Sequence, residues 1–151
     1  MSSPGARPFE VELHLQVKSY DIDVAGMVSN IVFVRWLEDL RLAILATYFP
    51  LEKQLAAGFA PVISQTRIEY KKPLKMFDRP VARMWVSEMS SVKWVVAAEI
   101  SLDDKIVAIA EQTGFFANLS SGRPIPIPDE LARRYSEYQQ GSVNVTRGDL
   151  R

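Results

Sequence analysis

Residues 19–49 read SYDIDVAGMVSNIVFVRWLEDLRLAILATYF. Two carboxylates, Asp21 and Asp23, precede a turn at Ala25-Gly26, and about twenty residues of helical pattern follow. At about 100° per residue, Arg35, Glu38, Asp39 and Arg41 fall within an arc of about 160°. Ile31, Val32, Phe33, Trp36, Leu37, Leu40, Ile44 and Leu45 fill most of the remainder, so burial over more than half the girth is expected. Such a helix is roughly 30 Å long, the diameter of a small domain, and must run through the middle of the fold. A carboxylate just before its first turn lies beside backbone N–H groups that have no intrahelical acceptor. That spacing puts a base or nucleophile next to a place where an oxyanion can be held.

On either side of this helix the period changes to two. Val11, Leu13, Leu15 and Val17 alternate with Glu12, His14, Gln16 and Lys18, which predicts a half-buried strand with His14 on its polar face. Pro50 ends the helical pattern, residues 51–58 predict a short helical turn closed by Gly58, and a connection follows at Phe59-Ala60-Pro61. Strands are predicted over 62–70, 81–88, 92–100 and 105–119, the last bending near Gly114. Met89-Ser90-Ser91 and Asp103-Asp104 are the intervening turns. Strands joined by such short links form an antiparallel meander, so the class is α+β, one long helix against one sheet. Asp129 predicts the cap of a short helix from Glu130 to about Gln139. The expected organisation is a tail over 1–8, a single domain over 9–139 and a polar tail over 140–151.

Composition narrows the chemistry. Lys plus Arg equals Asp plus Glu at 18 each, so no global field draws the chain to nucleic acid or to an anionic membrane. There is no cysteine, which excludes a thiolate nucleophile, a disulfide framework and Cys-based metal sites. A single histidine cannot supply multi-His metal sites, and its place on a polar strand face argues against a Ser-His-Asp arrangement. Neither a signal-peptide pattern nor a long apolar run is present, and a cytoplasmic location is expected. What remains is oxygen or nitrogen chemistry, with no metal or cofactor implied.

The run Tyr20-Asp21-Ile22-Asp23-Val24-Ala25-Gly26-Met27-Val28-Ser29-Asn30, followed by Phe33, Trp36, Leu37 and Glu38, resembles the signature of the hot-dog-fold acyl-CoA thioesterases of the 4-hydroxybenzoyl-CoA thioesterase type. The resemblance extends from about Glu10 to Leu131, and Gly122-Arg123-Pro124 with Pro128-Asp129-Glu130-Leu131 resembles the close of that family. It implies an antiparallel sheet wrapped around the helix, an acyl-CoA substrate, and a homodimer or homotetramer with active sites at the subunit interface. It also implies that Asp23 is catalytic, as nucleophile or as general base for water. The backbone N–H near Asn30 would then polarise the thioester carbonyl, Gly26 would let the chain approach the substrate, and Met27 and Val28 would line the acyl group. By position in the family pattern, Ser91, Lys93 and Arg123 would hold the anionic head of CoA.

Each of these residues also has a plainer reading. Asp21 and Asp23 suit turn capping, and Ser91, Lys93 and Arg123 suit exposed loops; Glu38, on the helix where related hot-dog enzymes place a catalytic carboxylate, suits an ion pair on the helix face. Many members of the family carry His where Met27 stands and Asn where Ser29 stands, so the acyl group stays open. Two other functions fit the pattern of elements: a non-catalytic protein binding acyl-CoA or an acyl carrier in the same cleft, and a dehydratase or hydratase. The second needs a site histidine, and His14 belongs to the wrong strand.

Overall fold

The computed structural model describes residues 7–149, with side chains through residue 141. In chain order the elements are β1 (Val11–His14), α1 (Asn30–Tyr48), α2 (Leu51–Ala56), β2 (Phe59–Tyr70), β3 (Val81–Met89), β4 (Lys93–Leu102), β5 (Lys105–Asn118), β6 (Pro124–Ile125) and α3 (Asp129–Asp149). The sheet is antiparallel, in the order β1-β3-β4-β5-β2, and β6 adds to the end of β5. This is the expected hot-dog architecture, one long helix against a curved sheet. The meander β3-β4-β5 forms its centre, and the two strands nearest α1 in sequence take the two flanks. Among the described residues no helix is long and apolar enough to cross a membrane.

α1 forms because its apolar residues recur at helical spacing, and Ser29 begins it by accepting the Ile31 N–H on Oγ. Val32, Phe33, Trp36, Leu37 and Leu40 are buried against the sheet, each contributing about 1.5–3 kcal/mol by removing apolar area from water. The buried stripe is narrower than the sequence periodicity suggests. Ile31 is 59% exposed, and Ile44 and Leu45 are only partly buried, because α1 touches its own sheet along one side.

The strand pattern is mostly as the alternation predicts. Ala82, Met84 and Val86 of β3 and Trp94, Val96, Ala98 and Ile100 of β4 face α1. Three boundaries differ. β1 keeps only four residues, because the ladder with β3 ends at the His14–Val81 pair. β2 starts at Phe59 rather than at Val62, since Phe59, Ala60 and Pro61 pair with Asn118, Ala117 and Phe116. α3 begins at Asp129 itself and runs past Gln139 to Asp149, so residues 141–149, expected as a polar tail, are helical in backbone. Asp103 and Asp104 both take positive φ, 51° and 64°, the conformation that closes a two-residue hairpin without splaying the strands.

On the outer face, the Arg7 guanidinium stacks 3.7 Å from the centroid of the Trp85 ring and reaches Glu10 and Glu99 at 3.2 and 3.1 Å. The chain therefore partly covers Trp85 by itself. The long loop between β2 and β3 carries an exposed aromatic, Phe77, 86% exposed with φ at 74°.

At Gly114 the two flanks of the core meet. It pairs with Trp94 across β4–β5, and β2 shifts register opposite it, between Ile63 and Gln65. A side chain at this position would run into the Trp94 ring and the Val62 carbonyl oxygen. Gly114→Ala should therefore cost about 1–3 kcal/mol by overpacking. A urea midpoint equal to wild type would show that Trp94 has room to move and that the strand bend does not depend on glycine.

A candidate active site at the start of the central helix

The segment before α1 is built by its two aspartates, in different ways. Asp21 is 6% exposed, and its Oδ2 accepts the Lys18 N–H at 2.8 Å, closing a single tight turn over Ser19–Asp21. Its carbonyl accepts the Ser29 N–H at 2.8 Å, so Asp21 braces the entry to α1. Asp23 is exposed. Its Oδ1 accepts the N–H groups of Ala25 at 2.9 Å and Met27 at 3.2 Å. This is the side-chain-to-backbone turn that short polar residues favour. Gly26 closes the turn with φ at 79° and donates to the Asp23 carbonyl at 3.0 Å, and Asp23 N–H donates to the Met27 carbonyl at 2.8 Å.

Both readings of Asp23 thus apply to one side chain. One carboxylate oxygen orients the turn, and no hydrogen bond within the described residues engages the other. No acceptor among the described residues takes the Asn30 N–H, at the positive end of α1. Val28 is fixed by its N–H to the Leu74 carbonyl at 2.8 Å, and its side chain, 5% exposed, belongs to the core; Met27 stays 36% exposed beside Asp23. Asp23, Gly26, Met27 and Asn30 therefore share one small surface.

Tyr70 completes this end. Its hydroxyl donates to the Asn30 carbonyl at 3.1 Å and its ring meets Phe33 edge-on at 5.1 Å. Burial raises its pKa above the usual phenol value, so it stays a donor at neutral pH. Nothing in the sequence singled it out, because it closes a strand without any local motif.

Ser91, Lys93 and Arg123 lie elsewhere. Tyr70, at the α1 start, pairs with Ala108 at one end of β5, whereas Lys93 pairs with Phe115 near the other. Arg123 follows β5, and its carbonyl accepts the Asn118 N–H. Lys93 Nζ is 3.5 Å from Glu88, and the Ser91 carbonyl accepts the Ile127 N–H at 2.8 Å. The three are close to the C-terminal end of α1, a helix of about 28 Å. Within one chain they do not meet Asp23.

Beneath the middle of α1 lies a polar network that periodicity did not assign. Arg41 donates to Gln112 Oε1 at 2.7 Å and to Glu38 at 3.3 Å, and Gln112, 2% exposed, donates to Thr66 Oγ1 at 3.0 Å. Burial lowers the Arg41 pKa, with the Glu38 charge opposing the shift. Glu38 is thus engaged in the helix-face ion pair its spacing allows. The legible signal was Gln112 itself, a polar residue on the inward face of β5 between Ala110 and Gly114. His14, as expected, is exposed and only meets Glu12 at 3.0 Å.

The family model described as the thioesterase-like superfamily matches residues 17–135, which include this turn, α1 and the whole meander. The chain belongs to the thioesterase-like superfamily. No match was found among curated proteins. Solved structures share the fold at low identity. A 1,4-dihydroxy-2-naphthoyl-CoA thioesterase from Synechocystis superposes with a TM-score of 0.75 at 20% identity, over 84% of this chain and 96% of that one. A probable thioesterase from Escherichia coli gives 0.72 at 20%, over 83% and 94%. A Thermus thermophilus thioesterase complexed with coenzyme A and zinc gives 0.72 at 19%, over 85% and 93%. Thioester hydrolysis is therefore the chemistry against which the family's site is to be judged.

Replacing Gln112 by Leu leaves Arg41 and Thr66 without their buried partner. The expected loss is about 1–3 kcal/mol, since an orphaned buried donor costs its desolvation. An unchanged chemical-denaturation midpoint would mean that water takes the place of the amide.

Proposed function

We propose that the protein is an acyl-CoA thioesterase in which Asp23 carries the reaction and the N-terminus of α1 receives the oxyanion. The observation that supports this most is the division of labour within Asp23. With Oδ1 held by Ala25 and Met27, the carboxylate cannot swing freely, its other oxygen has no partner among the described residues, and seven residues on the Asn30 N–H likewise has none. A carboxylate so fixed can attack the thioester carbon or draw a proton from water, while the helix terminus takes the charge that develops on the carbonyl oxygen.

We further propose that the working unit is at least a dimer. Among the described residues β2 pairs with β5 on one side and has no strand on the other, which leaves an open edge twelve residues long. Long open edges recruit another strand. Ile31, Val34 and Leu42 on α1 are 59%, 42% and 49% exposed, so the helix also keeps apolar area for a neighbour. A two-fold pairing along β2 would run antiparallel and bring Asp23 of one copy towards Lys93 and Arg123 of the other. That arrangement unites residues that a single chain holds apart, with Gly26 and Met27 beside the acyl group and Ser91, Lys93 and Arg123 around the phosphates of CoA.

Asp23→Asn retains an Oδ1 acceptor for the turn and should melt like wild type, while thiol release from acyl-CoA esters falls at least about 10²-fold. Wild-type-like turnover would remove Asp23 from the mechanism. If the wild type binds acyl-CoA and releases no thiol, the same-fold binding protein is the correct description. The shared site has its own test. Mixing Asp23→Asn with Arg123→Ala after reversible dissociation should restore activity at low substrate, towards about a quarter of wild type, because each hybrid dimer contains one intact site. A mixture no more active than the average of its components would mean that each chain builds its site alone.

A further inference from the structure

Between β2 and β3 the chain makes a tight turn over Lys75–Asp78. The Asp78 N–H donates to the Lys75 carbonyl at 3.1 Å, and Asp78 Oδ2 accepts the Lys75 N–H at 2.8 Å. Phe77 stands third in this turn with positive φ, where glycine or asparagine is the unstrained choice. Four non-glycine residues take positive φ among the described residues: Phe9, Phe77, Asp103 and Asp104. Phe9 is buried in the core, and the two aspartates have the short polar side chains that hairpin turns use. Phe77 alone is both bulky and left in water. Its ring gives the fold nothing and is free for a ligand.

The charge around that ring is one-sided. Residues 71–80 hold Lys71, Lys72, Lys75 and Arg79 against a single carboxylate, Asp78, in a chain of no net charge. The Asp78 carboxylate is turned to the backbone of its own turn, and Lys71 is 3.3 Å from Glu69. Lys72, Lys75 and Arg79 are exposed, and no carboxylate among the described residues pairs with them. The loop also lies beside the Asp23 turn. The Leu74 carbonyl accepts the Val28 N–H at 2.8 Å, and Phe77, three residues on, is at most about 10 Å from Leu74 along the chain.

We propose that this loop seats the 3′-phosphoadenosine end of CoA, with the Phe77 ring stacked on the purine and Lys72, Lys75 and Arg79 around the 3′-phosphate. This rests on the thioesterase reading and makes a free CoA ester the substrate, since the prosthetic arm of a carrier protein has no adenine. Ser91, Lys93 and Arg123 bring charge and hydrogen bonds to phosphates but no flat apolar face for a base. Phe77 supplies that face, and an adjacent guanidinium suits a phosphate's paired oxygens. The pairing along β2 carries the loop, with Asp23, towards Lys93 and Arg123 of the other copy, so both ends of the nucleotide are met at one mouth. The size of the patch favours a nucleotide over larger anionic partners. Leu74 is buried and Met76 packs against the core, so the turn offers one ring. One such ring buries about 150–250 Å², against about 800 Å² on each side of a standard protein interface.

The test combines calorimetric binding of free CoA, 3′-dephospho-CoA and pantetheine with thiol release from acetyl, octanoyl and benzoyl esters of CoA and of pantetheine. The variants are Phe77→Gly, Phe77→Trp and the double change Lys75→Ala with Arg79→Ala. Phe77→Gly should have a urea midpoint at or above that of wild type, because glycine relieves the turn. It should nevertheless bind CoA about tenfold more weakly and raise KM for the CoA esters to match, with turnover of the pantetheine esters unchanged. Phe77→Trp should restore the affinity, and the double variant should lose CoA more than it loses 3′-dephospho-CoA. Equal affinity of wild type for CoA and pantetheine, or unchanged CoA binding by Phe77→Gly, overturns the proposal and leaves the thioesterase reading standing. So does an equal loss on CoA and pantetheine esters, which would mean that the loop acts on the Asp23 turn. A loss confined to an ester carried on an acyl carrier protein overturns it in favour of a docked protein. If no ester releases thiol while CoA binds wild type and not Phe77→Gly, the thioesterase reading fails and the nucleotide seat stands.

Discussion

The structure depends on α1 being clamped at both ends while its middle is buried. Near the start, the Tyr70 hydroxyl binds the Asn30 carbonyl. Near the end, Tyr48 donates to the Glu10 carbonyl at 2.7 Å, and Arg134 of α3 donates to the Tyr48 carbonyl at 2.6 Å. Between these points Val32, Phe33, Trp36, Leu37 and Leu40 seat the helix on β3, β4 and β5. Burial alone would allow a rod to slide or roll by a fraction of a turn. Hydrogen bonds at its ends are directional and fix where its first N–H groups point.

That fixed terminus gives the preceding turn its meaning. The Asp21 carbonyl holds Ser29, and Leu74 holds Val28, so the loop carrying Asp23 is tied to the helix and to the segment between β2 and β3. A catalytic carboxylate on a floating loop would spend most of its time misplaced. At the other end of the same helix the walls change character, from backbone donors to aromatic and aliphatic side chains, with Phe49, Phe59 and Phe116 in mutual contact and Trp94 against Phe116. One rod thus separates a region of free backbone donors from an apolar one, and a single copy keeps them apart.

How much of this could be read from the sequence follows from the range of the forces involved. The helix, the turns at Ala25-Gly26 and Asp103-Asp104 and the meander rest on local periodicity and backbone preference, and all were legible. So was the grouping of Asp23 with Gly26, Met27 and Asn30, which are neighbours along the chain. The partners of β1 and β2 were not, because alternation fixes the buried face of a strand and says nothing of which strand it joins. Tyr70 with Asn30, and Arg41 with Gln112 and Thr66, were hidden for the same reason, since they meet only after the sheet is assembled. The width of the buried stripe on α1 was overestimated at Ile31 because hydrophobicity does not tell a surface kept for the chain's own core from one kept for a companion.

The turn at Phe77 carries a thermodynamic implication of its own. A residue with a Cβ held at positive φ is strained, and a phenyl ring left 86% in water gains nothing to offset that strain. Tyr20 and Val24, near the Asp23 turn, are also exposed, at 77% and 109%, though without that backbone strain. Whatever covers such residues binds the folded chain and not the unfolded one, and so raises its apparent stability by mass action. Where a second copy does the covering, as in the proposed dimer, the melting temperature rises with protein concentration.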